Sequence, residues 1–323
     1  MAPPPLPEWA THEAVWIGFP SDPELWLGDL KPAEREVAAF AEAIHAGGKG
    51  EQVWLVAAHE DAAAAARKLA PFARIIVEPF GDIWLRDTGP IVVGTGQDRR
   101  AQGFGFNGWG GKYDLDGDQD IGERLAACAG LAYSKAGWVL EGGAIDGDGS
   151  GTVLTTEQCL LNPNRNTLSR DAVEGQLLDD LGFERVVWLG SGLLNDHTDG
   201  HVDNLARFVA PGRVAIPTPA NDDPNEAVYR DAARRLAEAG LEIVTVPSPG
   251  LVERDGDIIP ASYMNFYIGN ATVVVPQYGA ANDPAAVEAI QALFPGRKAI
   301  GLRADHILTG GGSFHCISQQ VPR

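Results

Sequence analysis

Residues 52–78 read QVWLVAAHEDAAAAARKLAPFARIIVE, and this stretch sets the fold class. Gln52 to Ala57 is a short apolar run rich in strand-forming residues. Asp61 to Leu69 has the composition and length of a helix, stopped at Pro71, and Arg74 to Glu78 returns to a strand-like run. The same alternation continues in both directions. Strand-like runs occur at Ala14 to Phe19, Ile91 to Val93, Thr152 to Thr155, Arg185 to Leu189, Arg213 to Ile216, Glu242 to Val246 and Thr272 to Val275. Helical patterns occur at Ala33 to Ala46, Ser169 to Leu181, Asn225 to Ala239 and Pro284 to Leu293, each closed or followed by Gly or Pro. The pattern predicts an α/β protein. No Ser-, Pro- or charge-rich linker divides it, and the glycine-rich patch Asp146 to Gly151 is short enough for a hairpin or loop, so one domain over residues 1–323 is expected. Strand and helix groups recur at a spacing compatible with several similar units, without sequence repetition. Composition does not choose between a doubly wound sheet and a closed ring of such units.

At 323 residues and 45% apolar content the chain can bury a sizeable core. No run approaches the ~20 consecutive apolar residues of a membrane span, and the start, Met1 to Pro7, lacks the charged and apolar regions of a signal peptide. A cytoplasmic protein with no membrane partner is expected. The three cysteines, Cys128, Cys159 and Cys316, are too few and too scattered for a disulfide framework or a paired-cysteine zinc site. The net charge of −19 repels phosphate backbones, which argues against a nucleic-acid partner and favours a cationic ligand. No phosphate-cradling glycine motif is present.

Four patches could carry chemistry. In Leu308 to Gln320 a triple glycine precedes His315 and Cys316; glycines let a backbone approach a ligand, and Cys316, where a loop meets the strand-like segment Cys316 to Ser318, is a candidate nucleophile. Cys128 and Cys159 read instead as buried apolar residues. In Asn195 to Asn204 five of ten residues are Asp or His. If Gly200 opens a strand, His201 and Asp203 share a face, as an acid/base histidine and a ligand carboxylate would. The competing readings are a metal site from His197, His201 and an Asp, and an Asp-rich turn; the poor helix formers Thr198 to Gly200 weigh against the metal. In Asp82 to Pro90, Trp84 could present its face to a cation and Asp87 could accept from a guanidinium, or Arg86 and Asp87 could form a surface ion pair with Trp84 in the core. In Trp138 to Gly143, Glu141 stands at a strand end before paired glycines, to orient a catalytic group or simply to turn the chain. Phe106 to Tyr113, containing Trp109, reads as a mobile lid or a packed turn.

Together these patches resemble the agmatine deiminase branch of the peptidylarginine-deiminase-like family, within the guanidine-modifying pentein superfamily. The resemblance runs through Glu8-Trp9, His12 to Trp16, Trp84 to Pro90, Phe106 to Tyr113, Leu140 to Gly143, Leu161 to Asn166, Thr198 to Phe208, Ala261 to Tyr267 and Gly310 to Gln320. It implies a pseudo-fivefold α/β propeller of ββαβ-type units with the active site on its axis. It also implies that Cys316 is the nucleophile, His201 the acid/base, Asp87 and Asp203 the guanidinium-binding carboxylates, Glu141 a carboxylate contacting substrate or orienting the histidine, and Trp84 a pocket wall. Trp109 and His197 are expected to line the substrate site. No metal and no organic cofactor are implied, and relatives suggest a homodimer or larger assembly.

One residue departs from the pattern. These enzymes commonly read Asp-Glu-Thr-Asp-Gly-His, and here the glutamate position is His197, which cannot offer a permanent negative charge to the far amine of agmatine. Agmatine remains the first substrate expectation. The rivals are a deiminase or dihydrolase for arginine, peptidyl arginine or another guanidine, an amidinotransferase, a metallohydrolase, and a binder of cationic amines.

Overall fold

The computed structural model describes residues 3–254 and 256–323. Met1 and Ala2, at the head of the segment read for a signal peptide, lie outside them.

The expected α/β alternation resolves into small sheets rather than a doubly wound one. Five sheets repeat one topology, in which an antiparallel pair is extended by a parallel strand reached through a helix. Ile91–Val93 pairs antiparallel with Arg100–Gly105, which runs parallel to Ala132–Val139. Asp146–Gly147, Thr152–Thr156 and Arg185–Leu189 repeat the arrangement, as do Arg207–Ala210, Arg213–Thr218 and Glu242–Pro247, and then Tyr267–Ile268, Thr272–Gln277 and Lys298–Arg303. The remaining unit is shared between the chain ends. Ser318–Pro322 pairs antiparallel with His12–Phe19, which is followed by the parallel strands Gln52–Ala57 and Arg74–Val77. The C-terminal strand therefore completes the sheet begun at the N-terminus.

Local chemistry explains the elements. The helix Leu30–His45 buries Ala33, Val37, Phe40, Ala41 and Ile44, a single stripe at helical spacing. Phe40 stacks on Phe314 at 4.7 Å and meets Tyr267 edge-on at 5.8 Å, so this helix joins the opening, the fifth unit and the C-terminal turn in one core. The helix Arg170–Leu181 is capped by Ser169, whose side chain accepts from Ala172 N, and ends at Gly182 with φ 66°. Five of the six residues of Gln52–Ala57 are buried, as suits a parallel strand covered on both faces. No helix among the described residues is long and apolar enough to cross a membrane.

The strands and helices expected from sequence are present within a few residues. Absent from that reading were Arg100–Gly105, Ala132–Val139, Arg207–Ala210, Lys298–Arg303 and the helix Ile121–Cys128. Only one residue of Ala132–Val139, Trp138, is buried, and the sequence AYSKAGWV gives no two-residue alternation to detect.

Candidate active site

The segments that connect one unit to the next deliver the reactive side chains. Asp87 lies between the first and second units, Glu141 between the second and third, and His201 with Asp203 between the third and fourth. Asn265 lies between the fourth and fifth, and Cys316 between the fifth and the closing strand. The connections are held against one another by close backbone contacts. Arg86 N donates to Cys316 O at 3.0 Å, joining the Asp87 turn, Leu85–Thr88, to the nucleophile's turn. Paired glycines make the next approach possible. A Cβ on Gly142 would fall 2.1 Å from Arg86 O, and one on Gly143 2.6 Å from His201 Nδ1.

Three local expectations differ from the structure. Gly200 does not open a strand: its φ is +85°, Thr198 Oγ1 accepts from His201 N at 3.1 Å, and Val202–Asn204 form a single 3-10 turn. His201 and Asp203 are brought to one site by that turn and not by strand periodicity. Cys316 likewise sits in a turn, with the strand beginning only at Ser318, because Ile317 N is drawn back to Ser313 O and Ser318 N to His315 O. The surface ion pair between Arg86 and Asp87 is also absent. Both are buried; Arg86 lies 3.6 Å from Glu8, whereas Asp87 Oδ1 accepts from Gly143 N and Oδ2 from Trp109 Nε1, both at 2.9 Å.

Around Cys316 the geometry is tight. Asn265 Nδ2 lies 3.1 Å from its Sγ, and Asp203 Oδ2 lies 3.8 Å away. Asp203 Oδ2 is 2.7 Å from His315 Nδ1, while Asp203 Oδ1 is buried with no hydrogen-bond partner. Glu141 shows the same division: Oε1 takes Arg165 Nε at 2.5 Å, and Oε2 is buried and unpartnered. Both ring nitrogens of His201 are also unpartnered, Nδ1 standing 3.7 Å from Asp87 Oδ1. Buried polar atoms without partners are costly in a folded protein, and four of them from three residues at one site mark surfaces built to meet a ligand.

The electrostatics agree. Burial, followed by the negative charge of Asp203 and Asp87, holds the Cys316 thiol well above its usual range. Burial also raises Asp87, with Asp203 and Glu141 adding to it. Burial alone would depress His201, but Asp87, Glu141 and Asp203 override it and raise its pKa. Asp203 is lowered despite its burial, chiefly through its hydrogen bond and attraction to His315. The site thus combines carboxylates, an imidazole whose protonated form they favour, and a thiol that needs positive charge nearby to ionise.

A cavity of about 170 Å³ leads to Cys316 and is lined by Trp84, Asp87, Trp109 and His197 among others. Trp84 is therefore a wall of the cavity as well as a core residue, stacked on Trp26 at 6.5 Å. His197 is exposed at the mouth, its Nδ1 3.1 Å from Tyr113 Oη. The loop Phe106 to Tyr113 is a packed turn: Asn107 bonds Asn164 O, Trp109 bonds Asp87, and Lys112 Nζ bonds both His197 O and Asp199, each at 2.7 Å. Trp109 adopts φ 54°, a conformation uncommon for a side chain of this size, held at the point where it touches Asp87. The competing metal set of His197, His201 and an Asp is not assembled among the described residues. Among the described residues the ligand atoms within 4.8 Å of one another belong to Glu141, Cys159 and His201, with His197 outside at the mouth.

Residue-by-residue reading overlooked a second layer. His315 bridges Asp203 and Glu8, with Nε2 2.7 Å from Glu8 Oε2; Glu8 in turn pairs with Arg207 at 2.8 Å, and Arg207 Nε lies 3.4 Å from Asp146. Arg165 orders Glu141 and is itself held by Asp199 and Thr198 O. Glu8, Arg165, Arg207 and Asn265 all fall inside the stretches that carried the family resemblance, which was the one signal that could have singled them out.

Comparison with known proteins places these features in context. A family model described as Porphyromonas-type peptidyl-arginine deiminase matches residues 5–322. A protein of Marinomonas sp. (strain MWYL1), provisionally named an agmatine deiminase, is 38% identical over 98% of this chain and 93% of its own length. The solved agmatine deiminase of Enterococcus faecalis superposes with a TM-score of 0.93 at 34% identity, over 99% of this chain and 96% of that one. A cysteine-to-serine variant of C. jejuni agmatine deiminase, solved with substrate bound, gives 0.90 at 26% identity, over 99% and 96%.

Proposed function

This chain belongs to the Porphyromonas-type peptidyl-arginine deiminase family, and we propose from that membership and from the site that it hydrolyses a cationic guanidine, with agmatine first, to a ureido product and ammonia. The observation that carries the proposal is the gathering of Cys316 beside Asp203 and of His201 beside Asp87 and Glu141, with Asp203 Oδ1, Glu141 Oε2 and both His201 ring nitrogens buried and unpartnered. A guanidinium carbon is a poor electrophile, because its charge is delocalised. Asp87, Asp203 Oδ1 and Glu141 Oε2 accept its N–H groups and fix it for attack. Its charge also offsets the two carboxylates that keep the thiol protonated, so substrate binding promotes the thiolate.

Cys316 Sγ then adds to the central carbon, and Asn265 Nδ2 steadies the sulfur. Collapse breaks a C–N bond; His201, protonated by its acidic surroundings, gives its proton to the leaving ammonia, and an S-alkylthiouronium remains on Cys316. The now neutral His201 takes a proton from water, whose oxygen adds to the same carbon. The C–S bond breaks as the hydroxyl proton of the adduct passes to solvent, where it is taken up by the released ammonia as ammonium; the neutral ureido product leaves, and thiolate and imidazolium are restored. With agmatine the products are N-carbamoylputrescine and ammonia, which would feed polyamine formation.

The same reading covers the wider assignments. One catalytic domain spans 1–323, its five units closing as a pseudo-fivefold propeller about the site, a reading supported by the fivefold recurrence of one topology and by five inter-unit connections that all reach one centre. The protein is cytoplasmic and a homo-oligomer of two or more subunits, with a small guanidine as its partner and neither nucleic acid nor membrane. No metal or organic cofactor takes part in the steps above. His197 at the mouth favours one second reading, a deiminase for a guanidine with a different tail.

The test is ammonia and ureido product formation from agmatine and arginine in parallel, with chelator present, for the parent and Cys316→Ala. Agmatine turnover in the parent, lost by ~10⁴-fold or more in the variant, is expected. A folded parent that acts on neither compound, or a variant that keeps activity, overturns the proposal.

A further inference from the structure

Resting on that reaction, we propose that Asp82 is the specificity-determining residue that receives the cationic tail of the substrate, because it faces the reactive cavity at the opposite end of the Trp84 indole from Cys316. Asp82 lines the same cavity as Asp87, Trp84 and Cys316. The indole spans the distance between them. Its Nε1 donates to Asp82 Oδ2 at 2.7 Å, while the far edge of its six-membered ring abuts Gly312: a Cβ there would fall 2.6 Å from Trp84 Cζ3 and 3.1 Å from Cys316 Cβ. A substrate lying along the ring with its guanidinium at Cys316 directs its tail towards Asp82.

Asp82 has the capacity and the need for a cation. Its oxygens take one donor each, Trp84 Nε1 and its neighbour Ile83 N at 2.8 Å, which leaves further acceptor sites on both. No Lys, Arg or His lies within ion-pair distance of it among the described residues. Its charged surroundings are acidic: Asp118 packs behind it, bonding Gly81 N and Asp82 N through Oδ1, with Oδ2 buried and unpartnered. Burial, with Asp118 and Asp22 adding to it, raises Asp82 to about 7, so an arriving ammonium relieves an unfavourable negative charge.

The alternatives within the cavity are committed elsewhere. Asp87 is the other carboxylate on its wall, and it is held at the guanidinium end by Gly143 and Trp109. His197 is turned onto Tyr113 and carries no permanent charge. Recognition of a positive tail therefore passes from the mouth residue, where the family pattern has glutamate, to Asp82 deeper in the wall.

The experiment compares agmatine with n-butylguanidine, which keeps the guanidinium and the four-carbon chain and lacks the amine. Asp82→Asn keeps an acceptor for Trp84 and removes the charge. We expect kcat/KM for agmatine to fall about 10- to 100-fold, mainly through KM, with n-butylguanidine nearly unchanged and Asp82→Glu recovering part of the preference. A structural role for Asp82 through Trp84 would lower both substrates alike, and that result overturns the proposal, as does undiminished preference for agmatine in Asp82→Asn. Those outcomes leave the reaction itself standing. A folded parent that hydrolyses neither guanidine overturns the reaction and this assignment together.

Discussion

Asp203 has two oxygens in two different regions of the molecule. Behind it, Oδ2 enters a layer where every charge has an opposite within 4 Å: His315, Glu8, Arg86, Arg207 and Asp146. In front, Oδ1 joins His201 and Glu141 Oε2 in a region where buried polar atoms have no partner. The two regions differ in how their charges are matched. The rear layer pairs its charges within the protein, although Arg86 Nη2 and Arg207 Nε keep no hydrogen-bond partner, and it ties the N-terminal segment to the turns that carry Arg86, Asp203 and His315. The front layer leaves two carboxylate oxygens and an imidazole open, which is what a substrate can use. Mutations should therefore separate, with rear substitutions reading out in stability and front substitutions in turnover.

The largest effect expected is on the rear layer. Arg207→Met keeps volume but leaves Glu8 and Asp146 buried without their main cation, and Met264 O and Phe266 O without their donor. Breaking a buried pair in this way costs roughly 3–5 kcal/mol, measurable as a fall in the urea midpoint with an unchanged slope. A loss under about 1 kcal/mol would break the comparison, since the rear layer would then not be what holds the connections.

The complementary substitution is Asp87→Asn in the front layer. One of the fixed acceptors for the guanidinium is lost, so kcat/KM should fall about 10²- to 10³-fold. Stability should hold to within about 1–3 kcal/mol, the cost of leaving one of Gly143 N and Trp109 Nε1 without its acceptor. Asp87 is raised in the folded state, so the stability it contributes is full below its ordinary value of 3.8 and is lost as pH rises through the raised pKa; asparagine has no such loss. The variant's relative gain should grow with pH across that window, seen as urea midpoints that separate more at pH 8 than at pH 4. Loss of stability beyond that range, together with activity, would show that front and rear are one structural unit.

The sequence was informative about the front layer and silent about the rear one, for a physical reason. Cys316 after three glycines, the His201–Asp203 pair, Asp87 beside Trp84 and Glu141 before two glycines are residue types that announce chemistry, set among backbone-permissive neighbours. Nothing local marks Glu8 or Arg207. They lie 199 positions apart, and a charged residue near the N-terminus or in a strand reads as solvent-facing until its partner is known. The strands that were missed share this difficulty: Arg207–Ala210 begins with a charge that the fold buries fully. The inward turn of His201 and Asp203 was read from strand periodicity and is produced by a 3-10 turn, so the right pair emerged from the wrong local geometry. The fivefold recurrence was invisible to composition, because the units share topology and not sequence.

His315 is where the two regions can be told apart most finely, because it touches both. Its ring joins Asp203 to Glu8 through two contacts of 2.7 Å, and its backbone N donates to Asn265 Oδ1 at 3.0 Å, beside the nucleophile. Glutamine in its place can reach one carboxylate but not span both, since only the imidazole carries two polar atoms on opposite sides of a rigid ring. The His315→Gln chain should still fold, with a smaller loss than Arg207→Met, on the order of 1–3 kcal/mol for the group left unpaired. Turnover should fall about 10- to 100-fold through kcat, because Asp203 Oδ1 is aimed only as well as Oδ2 is anchored, and small misplacements of a fixed acceptor are costly. If kcat survives while stability drops, His315 belongs to the rear layer alone, and the orientation of Asp203 comes from the turn Val202–Asn204 and Asn265 instead.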